Sequence, residues 1–346
     1  MAARDDAPLR IAGVELERGR RTRIDIPVGK RVSGNEVSLP IEVVHGSSPG
    51  ARLFVSAAVH GDEIAGVEII RRVLAHKGLR RLRGTLIAVP IVNLHGFVGL
   101  SRYLPDRRDL NRSFPGSATG SLASRVADLF IKEIVANSTH GIDLHTAAVH
   151  RSNLPQIRAC LDDPETARLA QAFGVPVVLN SNLRDGSLRQ AVFEREMPML
   201  LYEGGEALRF EEAAIRAGAR GVIRVMRALD MLSGSRSSDS TRRPFIARSS
   251  QWVRSPDSGI LRRPAALGKA VSSGDVLGIV ADPLGADEKP VVAERPGIVI
   301  GRTELPLVNE GDALFHVAAF DAPDHVATTL EDFRGELTAL PEPLDG

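Results

Sequence analysis

Cysteine is almost missing from this chain: Cys160 is the only one in 346 residues. A disulfide framework is therefore excluded, and a reducing compartment, the cytoplasm, is the expected location. In its setting, LPQIRACL, Cys160 reads as a buried strand thiol and not as a nucleophile. An excess of either charge is missing too. Lys and Arg number 44 against 43 Asp and Glu, a formal charge of +1, which argues against nucleic acid and against anionic membrane surfaces as partners. No apolar run reaches the ~18 residues of a membrane span, and the opening stretch MAARDDAPLRIAGVELERGRR has no apolar signal segment. There is no glycine-rich dinucleotide fingerprint and no phosphate-binding loop. GSSPG at 46–50 has the Gly-x-Ser-x-Gly spacing around Ser48. That motif needs a strand, a sharp turn and a helix, whereas here a polar turn with Pro49 joins two strands.

What the chain does have is an ordinary globular composition, 43% apolar and 25% charged, enough for a large core. β-type alternation over residues 10–45 gives way to near-continuous apolar strands at 53–59, 85–92, 141–145, 156–161, 175–179 and 198–202. Helical patterns lie between them at 65–76, 122–136, 164–173, 188–195 and 210–229. Buried strands alternating with helices predict an α/β sandwich whose sheet is covered on both faces, spanning residues 1–232. A polar linker, SGSRSSDSTRRP, follows at 233–244. Residues 245–346 read as short strands and glycine turns forming a small all-β barrel or sandwich. They contain a repeat: Val-x-x-Gly-Asp-x-Leu occurs at 271–277 and again at 308–314. The layout resembles half-barrels of biotinyl and lipoyl carrier domains, but the lysine those domains modify is missing, so its role is expected to be structural or gating.

The stretch RLFVSAAVHGDEIAGVEII poses the functional question. His60 and Glu63 stand where a buried strand hands over to a helix, and one turn of coil brings imidazole and carboxylate to a common point. This suits two ligands of a catalytic zinc, which takes three protein ligands and leaves a position for water. The third candidate is His145 in HGIDLHTAAVH, at the C-terminal end of another apolar strand, where α/β sheets place their sites. His95 and His150 are its rivals.

HGDE at 60–63, SRYLPDRRDLNRSFPG at 101–116, DLHT at 143–146 and YEGGE at 202–206 resemble, in order, the motifs of the succinylglutamate desuccinylase/aspartoacylase family, within the zinc carboxypeptidase superfamily. The resemblance implies a zinc-carboxypeptidase-like α/β/α sandwich with a mixed sheet and a small C-terminal β domain. It implies one zinc per chain, held by His60, Glu63 and His145, with Glu203 as the general base that takes a proton from water and returns it to the leaving amine. Arg102 would stabilise the oxyanion, Asn111 and Arg112 would bind a substrate carboxylate, and Arg189 in GSLRQ is a further candidate for the acyl carboxylate. Guanidinium forks suit both tasks chemically.

The expected function is a cytoplasmic zinc amidohydrolase that cleaves an N-acyl amino acid or a similar small carboxylate-bearing amide. A carboxypeptidase trimming a terminal residue is the alternative, and a non-catalytic zinc-binding protein is disfavoured by the presence of both base and oxyanion arginine. The sequence leaves homo-oligomerisation open. Glu206 competes with Glu203 as base, and Asp143 reads equally as an orienting carboxylate or a backbone cap. With only Tyr103 and Tyr202 as tyrosines, an aromatic that covers the substrate from the C-terminal domain, as in some relatives, is expected to be missing. All candidate residues precede the linker, so a fragment ending near Leu232 is expected to keep the metal constellation.

Overall fold

The computed structural model describes residues 8–339 apart from 182, 234–242, 248, 286, 321 and 322, so most of the expected linker lies outside the described residues. The chain opens with a ribbon of β1 (Arg10–Ile11) and β2 (Val14–Glu15). Three longer strands follow, β3 (Arg20–Lys30), β4 (Glu36–His45) and β5 (Ser48–Ala57). Next come α1 (Ala65–Ala75), β6 (Arg83–Val89), the short α2 (Leu94–Val98) and α3 (Leu122–Glu133). β7 (His140–Ala147), β8 (Arg151–Ala159), α4 (Pro164–Phe173) and β9 (Val177–Asn180) continue the alternation. α5 (Leu188–Phe193), β10 (Met199–Glu206) and α6 (Glu212–Ala228) complete it.

The sheet is mixed. β5 runs parallel to β6 and β7, and β7 parallel to β10, while β4 pairs antiparallel with both β3 and β6, and β8 antiparallel with β10. Both faces are buried, which is why the central strands read as apolar runs without alternation. On β5, Leu53, Val55 and Ala57 enter one core with residues of α1, α4 and α6, while Phe54 enters the opposite core with residues of α3. Because β5, β7 and β10 are parallel, their C-terminal ends meet along one edge of the sheet.

After residue 244 come β11 (Phe245–Ala247), β12 (Ser250–Arg254), β13 (Gly259–Arg262), β14 (Ala270–Val271) and β15 (Val276–Ala281). β16 (Glu288–Val292), β17 (Gly297–Thr303), β18 (Leu307–Val308) and β19 (Ala313–Ala318) follow, and α7 (Pro323–Ala339) closes the described chain. β16, β15, β13 and β18 form a separate antiparallel sheet. The repeat is structural. Val271, Leu277, Val308 and Leu314, the apolar positions of both copies, share one core, and Gly274 and Gly311 take the positive φ (92° and 80°) their tight turns require.

Two features depart from the sequence reading of this segment. It contains a 17-residue helix, α7, whose Leu337 joins the core under α6 while Val326 and Leu330 join that of β17 and β19. It is also joined to the main sheet, since β17 pairs antiparallel with β8 and β11 pairs parallel with β9. The outer edge of β8 is thus shared, with β17 along residues 151–153 and β9 along 156–159. Among the described residues no helix is long and apolar enough to cross a membrane.

Candidate metal centre and active site

His60 and Glu63 sit in the turn between β5 and α1, with the Glu63 N–H donating to the His60 carbonyl at 3.1 Å. The helix starts only at Ala65, so a turn, and not a helix face, aligns the pair. His145 comes from the end of β7. The three side chains are buried and offer ligand atoms within 4.8 Å of one another.

Glu63 stands between the two rings, one oxygen 2.6 Å from His60 Nδ1 and the other 2.7 Å from His145 Nδ1. The outer ring nitrogens meet aspartates: His60 Nε2 lies 3.1 Å from Asp109 and His145 Nε2 2.7 Å from Asp143. Asp143 is itself fixed by the Ser56 hydroxyl, which donates at 2.8 Å. The contact holds the His145 ring by its outer nitrogen, an arrangement that also suits metal-ligating histidines.

Burial alone lowers the affinity of both imidazoles for a proton. For His60 this is outweighed by Glu63 and Asp109, and for His145 by Asp143 and Glu63, so both are raised, His145 strongly. Burial pushes Glu63 up, but the two imidazoles hold it well below the usual carboxylate range. Two nitrogens and a carboxylate packed this way, backed by Asp109 and Asp143, are a donor set with surplus negative charge. A divalent cation satisfies it as well as protons do, so the residues present fit a metal.

The other predicted residues gather around a cavity of about 270 Å³. Arg102 Nη1 donates to Glu63 at 3.2 Å, and its Nη2 donates to Asp109 at 3.1 Å. Glu203, on β10 in register with His145 of β7, accepts from Asn153 Nδ2 at 2.7 Å and lies 3.5 Å from Arg158 Nε. Asn111 accepts from the Leu188 N–H at 2.9 Å, which fixes its amide. Arg112 and Arg189 also line the cavity, and Arg189 Nη1 donates to the Ser181 hydroxyl at 2.8 Å. His95 and His150 are not among the lining residues. Nor is Glu206, whose carboxylate accepts from the His150 N–H at 3.0 Å.

Sequence reasoning passed over Asp109, although it lies inside the quoted loop motif, and also Asn153, Arg158 and Arg184. It also expected no covering aromatic from the C-terminal segment. Trp252 of β12 does line the cavity: its ring stacks on His316 at 4.7 Å, and the Arg151 guanidinium lies 5.0 Å from its centroid. The expectation was framed on tyrosine, and nothing near Trp252 in sequence marks it as reaching a site built some 50 residues or more upstream.

Residues 49–229 match the family described as the succinylglutamate desuccinylase/aspartoacylase catalytic domain. The chain is 29% identical over 297 residues to an N-alpha-acetyl-L-2,4-diaminobutyric acid deacetylase of Halomonas elongata, covering 82% of this chain and 86% of that protein. The product-bound structure of the ectoine utilization protein EutE (DoeB) from Ruegeria pomeroyi superposes with a TM-score of 0.78 at 26% identity, over 88% of this chain and 97% of that one. A succinylglutamate desuccinylase/aspartoacylase structure from Rhodobacter sphaeroides shares the fold, with a TM-score of 0.78 at 24% identity over 90% of this chain and 100% of that one.

Proposed function

Since the chain belongs to the succinylglutamate desuccinylase/aspartoacylase family, deacylases that cut carbon–nitrogen amide bonds, we propose that it is a zinc-dependent hydrolase of anionic N-acyl amino acids. His60, Glu63 and His145 would hold the zinc. Bound there, zinc supplies a Lewis acid for the amide carbonyl and lowers the pKa of water to about 7. Glu203 takes the proton from the attacking water and delivers it to the departing amine. Arg102, beside the triad, sets its guanidinium charge where the oxyanion develops. Asn111 and Arg112 grip a substrate carboxylate, and Arg189 faces a second acidic group. A cytoplasmic location belongs to this reading, supported by a chain whose single cysteine is Cys160.

The observation that carries the substrate class is the charge of the wall. Among the described residues, Arg102, Arg112, Arg151, Arg158, Arg184 and Arg189 line the cavity against only Glu63 and Glu203 as carboxylates. Burial, then Arg112 and Arg158, push the Arg184 guanidinium below its usual range. Burial, then Arg158, push Arg189 down to about 10. Like charges crowded this way are relieved by an anion, and bidentate carboxylates suit them. The Halomonas relative is named for an acetylated diaminobutyric acid, whose second amine would meet this wall unfavourably.

The test is a zinc-loaded panel of N-acetyl and N-succinyl derivatives of aspartate, glutamate, alanine and 2,4-diaminobutyrate, with short peptides, scored for released amine. Derivatives with two carboxylates should exceed N-acetyl-diaminobutyrate in kcat/KM by about tenfold or more, as one favourable charged contact implies. Faster release of C-terminal residues from peptides would overturn the deacylase reading in favour of a carboxypeptidase.

A further inference from the structure

We propose that Asn153 is a positioning residue for Glu203, and that the C-terminal strand β17 keeps it in place by presenting Gly301 beside it. The inference rests on Glu203 being the base.

Asn153 is 8% exposed, and its Nδ2 donates to one Glu203 oxygen at 2.7 Å while Arg158 lies 3.5 Å from the other. The donor can only be the nitrogen, because an ionised carboxylate solely accepts. Both partners come from β8, and a local irregularity makes this geometrically available. Glu203 lies opposite Gln156 and Gly205 opposite Asn153, so β8 uses one more residue than β10 over this interval. Strict alternation would turn Asn153 and Arg158 to opposite faces of the sheet. The bulge, between Asn153 and Gln156, brings both to the face of Glu203.

Asn153 also lies between two glycines, Gly205 of β10 and Gly301 of β17. Gly205 has a φ of 80°, which explains that glycine by backbone conformation. Gly301 is not among the positive-φ residues, so its backbone suits any residue, and what it provides is space. A Cβ there would lie 2.7 Å from Asn153 Oδ1 and 3.3 Å from His316 Cβ. The first contact is with the end of a side chain, so the strand can accept alanine, but the amide must turn aside and release Glu203. A carboxylate held by one weak contact in place of two samples other rotamers, and proton transfer depends on its alignment.

The experiment measures kcat, KM and zinc content for zinc-loaded Asn153→Ala, Gly301→Ala and the double variant, on the fastest amide of the panel above. Each single change should lower kcat roughly 10- to 100-fold, the worth of a hydrogen bond to a charged group, with zinc content unchanged and KM within about threefold. Gly301→Ala should cost less than about twofold once Asn153 is already alanine, and a crystal structure of Gly301→Ala should show the amide turned off Glu203. Equal losses from Gly301→Ala in both backgrounds, or a wild-type kcat in either single variant, overturn the proposal. If Gly301→Ala does not fold, Asn153→Asp decides: a like charge of the same size beside Glu203 should lower kcat at least as far as Asn153→Ala, and normal turnover refutes the role. Glu203→Gln separates the two readings. If it is inactive while Asn153→Ala is normal, only this inference fails; if it is fully active, the assignment of the base fails first.

Discussion

Residues 48–206 and residues 245–318 reach the same cavity by different means. The first region sends side chains from strand ends and the loops beyond them: His60 after β5, His145 at the end of β7, Glu203 on β10. The second sends Trp252 into the cavity wall and otherwise acts through backbone, with β17 laid along β8 and β11 along β9. Chemistry that arrives by side chain leaves short motifs in a sequence. Support that arrives by strand pairing and by the absence of a side chain leaves almost none.

The sharpest way to break this contrast is to remove the second region. A fragment ending at Leu232 uncovers the outer edge of β8, the free side of β9 and the apolar surface of α6 that Leu337 covers. Open strand edges and apolar patches of this kind favour aggregation. The fragment is therefore expected to be recovered insoluble or without cooperative unfolding, as gel filtration and circular dichroism would show. A monomeric, folded fragment that binds zinc would restore the expectation that all of the site's support precedes the linker.

The uneven legibility of the two regions has the same cause. His60, Glu63 and His145 were readable because ligand types recur at strand ends, and the structure brings their ligand atoms within 4.8 Å. The sequence pattern of α4 coincides with its observed bounds, Pro164–Phe173, since Asp163 and Pro164 open it and Gly174 ends it. The sequence pattern of β8 starts only at 156, whereas the strand begins at Arg151, because Pro155 interrupts the run and the bulge breaks its alternation. Asn153 lies in the omitted part, whereas Arg158 lies inside the expected strand and carries no motif that marks it. α7 was missed because its apolar positions are sparse, and because glycine turns dominate the segment before it.

A smaller effect sharpens the comparison from the C-terminal side. His316 is stacked under Trp252 and 5% exposed. Burial, then Arg158 and Arg184, push its imidazole down to about 3. The unfolded chain gains this proton near pH 6.5 while the folded chain refuses it, so the stabilisation is complete above pH 6.5 and is lost as pH falls toward 3. Between pH 7 and pH 5 the wild type should lose about 2 kcal/mol of stability that His316→Phe, which keeps a stacked ring, does not lose. Denaturant unfolding at the two pH values checks this, and identical pH dependence in both proteins would mean that His316 titrates normally.

The central claim is that the triad holds the metal while Glu203, on the neighbouring strand, does the proton transfer. Its most direct test is to measure zinc content and kcat together in Glu203→Gln, which keeps the size of the side chain but cannot take a proton. The account predicts about one zinc per chain, as in the wild type, with kcat lower by roughly 10²- to 10⁴-fold. Normal turnover, or zinc lost together with activity, would contradict it.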